Sequence, residues 1–137
     1  MGLYLYIFDG EEEINGVEAG SYNDYGVLLD YVALELERGK AGARFPTFVL
    51  KSDSDGEWSV ADCKKLQVEL DEIAVALRVR RAVAFTSDWQ RDVAKSIGLK
   101  PQNALESFID VDGEFLLERL QSLVKDALAR QLPILFQ

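Results

Sequence analysis

The chain contains no histidine. Histidine is the side chain that most often serves as a general base or a neutral-nitrogen metal ligand near pH 7, so serine–histidine and cysteine–histidine catalysis are both excluded. The only cysteine is Cys63. It can form no intrachain disulfide and supplies no thiolate cluster for zinc, a pattern that fits a reducing compartment. Bases are scarce: 15 Lys plus Arg stand against 24 Asp plus Glu, a formal net charge of -9. Binding to a phosphate backbone is therefore not expected, and a basic partner is. No apolar run approaches the roughly 20 residues that a bilayer span needs, and no basic amphipathic segment suits an anionic membrane surface. The apolar opening from Leu3 to Phe8 follows no Lys or Arg and precedes Asp9, Glu11, Glu12 and Glu13. It reads as a strand and not as a secretory signal. The expectation is a soluble, cytoplasmic protein.

What is present describes one ordinary globular domain spanning 1–137. The chain is 48% hydrophobic and 28% charged, and at this length a fold buries roughly 70% of its extended-chain surface. The charge is unevenly placed. Residues 1 to 62 hold 13 acids and 4 bases, whereas residues 63 to 137 hold 11 of each, so the whole net charge sits in the first part of the chain.

Leu3, Leu5 and Ile7 alternate with Tyr4, Tyr6 and Phe8, the pattern of a central strand covered on both faces. Ile14 to Ala19 reads as a returning strand after the Asp9-Gly10 turn, with Asn15-Gly16 as a turn or a bulge. From Ser21, an N-cap with Asp24 at the third helical position, apolar residues recur at helical spacing until Gly39. Phe45 to Leu50 has the β-branched and aromatic bias of a strand, with Pro46 at its start or on an edge. Ser59 and Asp62 open a second helix whose Cys63, Leu66, Leu70, Ile73 and Leu77 form the clearest apolar stripe in the chain. On that stripe Cys63 reads as a small core residue. Ala82 to Thr86 looks like a short strand, and Asp88 a cap for a helix closed by Gly98. Asn103 with Glu106 predicts a helical turn. A last helix is expected from near Asp112, carrying Leu116, Leu117, Leu120, Leu123, Val124 and Leu128 inward, and Pro133 to Phe136 a closing strand. The resulting class is α+β or α/β, a layered domain with a mixed sheet of about four to five strands packed with helices.

Asp-Gly-Glu occurs at residues 9 to 11, 55 to 57 and 112 to 114, the last two within Asp-x-Asp-Gly-Glu-aromatic. An EF-hand alignment on Gly56 places Lys51 at the first ligand position, and one on Gly113 places Phe108 there, so neither loop is a credible calcium site. Asp and Gly favour turns, and acids before a helix suit its positive end. No metal and no cofactor are expected. Nothing pairs two carboxylates for glycosidase-type catalysis, and the spacing of Gly10, Gly16 and Gly20 makes no phosphate loop. Trp58 reads either as an exposed aromatic anchor beside Asp53, Asp55 and Glu57 or as a staple between the helix start and the core.

Taken together, Met1-Gly2-Leu3-Tyr4-Leu5, Phe8-Asp9-Gly10, Ser52-Asp53-Ser54-Asp55-Gly56-Glu57-Trp58, Ser87-Asp88-Trp89-Gln90, Asp110-Val111-Asp112-Gly113-Glu114 and Pro133-Ile134-Leu135-Phe136-Gln137 resemble the bacterial immunity protein 70 family. The landmarks run from end to end. The resemblance implies a small cytoplasmic protein of a polymorphic toxin system, not an enzyme, which protects its producer by binding a cognate toxin domain; it supplies no catalytic residues. An inhibitor of a nucleic-acid-cleaving toxin gains association rate by presenting carboxylates to the groove that receives phosphates. The expected partner-binding residues are Asp9, Glu11, Glu12, Glu13, Asp53, Asp55, Glu57 and Trp58. The competing reading is an acidic regulatory or calcium-responsive interaction module built on the two Asp-x-Asp-Gly-Glu loops. Oligomeric state is open at this stage.

Overall fold

The computed structural model describes residues 2–51 and 56–137. Its organising element is the first strand, β1 (Gly2–Phe8), which turns at Asp9-Gly10 into β2 (Glu13–Ser21). Asp9 fixes that turn with its own carboxylate: Oδ1 accepts the amides of Glu11 at 2.8 Å and Glu12 at 2.9 Å. Gly10 adopts φ +100°, a left-handed conformation that costs glycine nothing. The strand at the far end of the chain, β4 (Ile134–Phe136), pairs with the other side of β1, and the two-residue β3 (Glu57–Trp58) pairs with β4. The strand order is β2-β1-β4-β3. Every one of these pairings is antiparallel, where a mixed sheet was expected. The α+β alternative and the lower strand number are the ones that hold, because no helix crosses over between parallel neighbours. Asn15 and Gly16 lie in regular register opposite Ile7 and Tyr6, and the irregularities fall instead at Leu3/Tyr4 and Ile7/Phe8.

Among the described residues five α-helices complete the fold: α1 (Tyr22–Glu35), α2 (Pro46–Val49), α3 (Val60–Arg78), α4 (Asp88–Ile97) and α5 (Leu116–Arg130). The expected capping boxes are present at both long early helices, Ser21 with Asp24 and Ser59 with Asp62. At α4 the cap is Ser87, one residue earlier than expected, with Gln90 reaching back to the Ser87 amide. One continuous core forms where Leu3, Leu5, Ile7 and Val17 of the sheet meet Leu28 and Val32 of α1, Leu66, Leu70, Ile73 and Leu77 of α3, and Leu117, Leu120, Leu123 and Val124 of α5. Cys63 sits in it. Burial, with Asp62 nearby, pushes its thiol up to about 11, so it is an inert core atom. No helix among the described residues is long and apolar enough to cross a membrane.

Three segments depart from the sequence reading, each because tertiary partners decide where backbone amides go. Phe45 to Leu50 is helical at its centre and not a strand: Pro46 opens α2, where its fixed φ suits a first helical residue. Glu69 of α3 accepts the amides of Thr47 and Phe48 at 3.2 and 2.9 Å. Ala82 to Thr86 joins no sheet; Ser107 Oγ accepts the Val83 amide and Gln90 Oε1 the Thr86 amide, so side chains replace a ladder. The last helix starts at Leu116, later than expected, because Asp110 Oδ1 holds 110–114 as a turn by accepting the amides of Asp112 and Glu114.

Candidate protein-interaction surface

The two faces of β1 have different fates. Leu3, Leu5 and Ile7 are fully buried against the helices, whereas Tyr4 and Tyr6 are half-buried and Phe8 is 43% exposed. The expectation that both faces are covered is therefore corrected. Pairing register extends the open face across the sheet: Tyr6 stands opposite Gly16 on one side and Leu135 on the other, and Leu135 stands opposite Glu57. Adjacent strands are about 4.8 Å apart, so Tyr6 and Glu57 lie about 10 Å apart on one surface. Tyr4 pairs with Glu18 and Phe8 with Glu13.

Tyr4 and Tyr6 stack, with ring centroids 5.5 Å apart and planes inclined by 18°. The Tyr4 ring also reaches across Gly16, where an added Cβ would lie 2.0 Å from Oη. Only glycine leaves that path open. Tyr4 Oη then donates to Glu13 Oε2 at 2.7 Å. Burial and this hydrogen bond to a carboxylate push the Tyr4 hydroxyl up to about 12, so it remains a donor throughout the physiological range. The result is a small aromatic platform with a carboxylate fixed at its margin.

Among the described residues the sheet and its hairpin turn carry Asp9, Glu11, Glu12, Glu13, Glu18 and Glu57, and none of the four strands contains a Lys or Arg. Three cations approach the sheet from other elements: Lys51 stands over the Phe136 ring, 6.0 Å from its centroid, and two arginines lie at the β2 side and the hairpin turn. Arg119 donates to the Gly16 carbonyl at 2.7 Å and approaches Asp110 at 3.5 Å. Arg130 is close enough to help the turn amides of Glu12 and Glu11 hold the Asp9 carboxyl below its ordinary value.

Of the expected contact residues, Glu11, Glu12 and Glu13 are exposed around the turn that Asp9 organises, and Glu57 is exposed on the same open face. Asp53 and Asp55 lie outside the described residues. Trp58 is not an exposed anchor. It is 1% exposed, its Nε1 donates to the Thr47 carbonyl at 3.1 Å, and its ring meets Phe136 edge-on at 4.8 Å. It staples α2, β4 and the start of α3 to the core, the second of its two sequence readings. The aromatic rings of the open face are Tyr4, Tyr6 and Phe8. The signal that separates them from Leu3, Leu5 and Ile7 is chemical: the strand assigns its aromatic rings to one parity and its aliphatics to the other, and two of the three rings, Tyr4 and Tyr6, carry polar tips that tolerate a wet face.

The buried carboxylates have structural work. Glu37 accepts the amides of Gly42, Arg44 and Phe45. Asp24 accepts from Ser21, Ser87 Oγ and Trp89 Nε1. Burial alone would raise Asp24, but the hydrogen bonds from Ser87, Trp89 and Ser21 outweigh it and hold the carboxyl below its ordinary value. Asp110 is shifted the other way, since burial exceeds the help from the Glu114 and Asp112 amides and Arg119. The described residues contain no group of three or more His, Cys, Asp or Glu able to hold a metal ion.

A family profile described as Immunity protein 70 matches residues 3–136. The chain belongs to the immunity protein 70 family. No curated protein and no solved structure matches it. Membership implies a role in toxin immunity with a protein partner, and immunity protein families are generally not enzymatic. Four of the motifs that carried the resemblance to immunity protein 70 are joints of this fold. Asp9-Gly10 makes the β1–β2 turn, Ser87 and Trp89 dock α4 on Asp24, Asp110 makes the turn before α5, and Ile134–Phe136 inserts beside β1.

Proposed function

We propose that the protein is a cytoplasmic inhibitor that binds a cognate bacterial toxin domain through its acidic surface. The observation that carries this reading is the immunity protein 70 match over residues 3–136; the acidic sheet and hairpin turn supply the physical means. Carboxylates of Asp9, Glu11, Glu12, Glu13 and Glu57, with Asp53 and Asp55 adjoining in sequence, steer the protein toward a cationic groove, such as one that a nuclease uses for phosphates. Long-range attraction of this kind accelerates association and is screened by salt. No observation favours the calcium-responsive module: the Asp110 loop directs its carboxylate to its own backbone.

The test is capture of the tagged protein from its producing cell after crosslinking at low salt, with mass spectrometry of what co-purifies. The expected result is a toxin domain in one-to-one stoichiometry whose activity the protein suppresses. Absence of any toxin, or capture without suppression, overturns the proposal.

A further inference from the structure

We infer that the open face of the sheet is the toxin-contacting surface, and that it seats arginine and lysine side chains of the partner on the Tyr4–Tyr6–Phe8 platform between Glu13, Glu18 and Glu57. This rests on the proposed function and specifies its chemistry. Three independent features of the face converge on a cationic protein partner.

The first is its charge. Among the described residues six carboxylates belong to the sheet and its hairpin turn and no Lys or Arg does; Arg119 and Arg130 stay at its margin, and Lys51 approaches only the Phe136 ring, whose strand position has the opposite parity to Leu135 of the open face. The second is the exposure of rings. Phe8 is left 43% exposed and two tyrosines half-buried on a face that no described helix covers, although the same strand buries every aliphatic on its other side. Tyrosine and phenylalanine faces attract guanidinium and ammonium groups, and aromatics at the centre of an interface with carboxylates around them supply most of its binding energy. The third is order. The Tyr4–Tyr6 stack, the Gly16 gap and the Tyr4–Glu13 hydrogen bond fix the two tyrosine rings and one carboxylate before any partner arrives, which lowers the entropy lost on binding.

Strand addition is a poorer fit for the same sheet. The outer edge of β2 is interrupted at its middle, where the Glu18 carbonyl accepts the Val111 amide and the Gly16 carbonyl accepts from Arg119. The opposite edge, β3, offers two residues. A partner therefore meets the face and not the edge.

Two measurements decide the matter. In the first, isotope-labelled protein is titrated with a short peptide of alternating arginine and glycine, with the glutamate–glycine peptide as control. The expected shifts are confined to the amides of β1, β2 and the neighbouring Leu135 and Glu57, and disappear at high salt. Shifts centred on α3 or α4, or equal shifts with the acidic peptide, overturn the inference. In the second, Tyr6→Ala, Phe8→Ala, Glu18→Lys and Glu57→Lys are compared with the wild type for affinity toward the captured toxin domain. Val75→Ser and Asp92→Lys, on the exposed sides of α3 and α4, serve as controls, and circular dichroism melting checks folding. The open-face variants are expected to weaken binding on the order of tenfold to a hundredfold each, with the controls unchanged. Wild-type capture with unaltered affinity in Tyr6→Ala and Glu57→Lys overturns this inference and leaves the proposed function standing. Absence of a toxin in the wild-type capture overturns the proposed function, and the peptide titration alone then decides whether the face takes cationic chains.

Discussion

The protein uses carboxylates in two ways, and the contrast between the helical half and the open sheet separates them. Among the helices and their loops, Asp24, Glu37, Glu69 and Asp110 are buried and directed at amides or hydroxyls that the fold would otherwise leave unpaired. On the sheet, Glu18 and Glu57 are exposed, and Glu11 and Glu12 project from the turn. A buried carboxylate is tolerated only because several donors converge on it, so its energy belongs to folding. An exposed carboxylate contributes little to folding and remains free to act on a partner. Acidic composition alone does not distinguish the two groups.

The contrast breaks most severely at Glu37. In Glu37→Ala the amides of Gly42, Arg44 and Phe45 lose their common acceptor, and a loss of about 3 kcal/mol or more is expected in urea unfolding. Asp24 and Asp110 sharpen it by pH, because their carboxyls are displaced in opposite directions from the ordinary value of 3.8. Asp24 is held low, so its stabilisation is present above that value and disappears as pH falls through its folded-state value. Asp24→Asn should cost about 2 kcal/mol at neutral pH and remove part of the acid-unfolding slope. Asp110 is raised, so its contribution is full below 3.8 and declines as pH rises through the folded-state value. Asp110→Asn keeps an oxygen for the two turn amides and should flatten that decline; urea midpoints measured from pH 3 to pH 7 compare the two variants.

The smallest effect on folding is expected at Gly16. A methyl there forces the Tyr4 ring aside and breaks its hydrogen bond to Glu13, at a cost of about 1 kcal/mol or less because an open-face ring can move. The platform is nevertheless dismantled. Ultraviolet titration of Gly16→Ala should bring one tyrosine down from about 12 toward its ordinary 10. An unchanged titration would show that the ring is not held by Glu13.

Much of the architecture was legible because it is governed by local chemistry. Ser21 with Asp24 and Ser59 with Asp62 place a hydroxyl and a carboxylate where each satisfies the other's backbone, so these helix starts could be located to the residue. The apolar spacing of Cys63 to Leu77 fixed which side of α3 is buried. The segment from Phe45 to Leu50 could not be read this way. Its β-branched and aromatic residues favour a strand in isolation, but Glu69, distant in sequence, captures the amides that a strand would have used. Trp58 was ambiguous for a related reason: whether an aromatic beside acids is an anchor or a staple depends on Thr47 and Phe136, which only the fold brings beside it.

The sequence by itself determined the chemistry available to this protein. Without histidine, with a single cysteine and with its net charge carried by the first 62 residues, it has no histidine-based catalysis to offer and an excess of carboxylates. Its alternating strand also separated aliphatic from aromatic side chains by parity. Only the tertiary structure decided which parity is buried and which carboxylates remain outside. The closing strand, Ile134–Phe136, arrives from the other end of the chain to make β1 central, and α1, α3 and α5 share a core with the Leu3, Leu5 and Ile7 side of the resulting sheet. That choice depends on the total apolar area the helices can bury, a property of the whole chain that no local window contains.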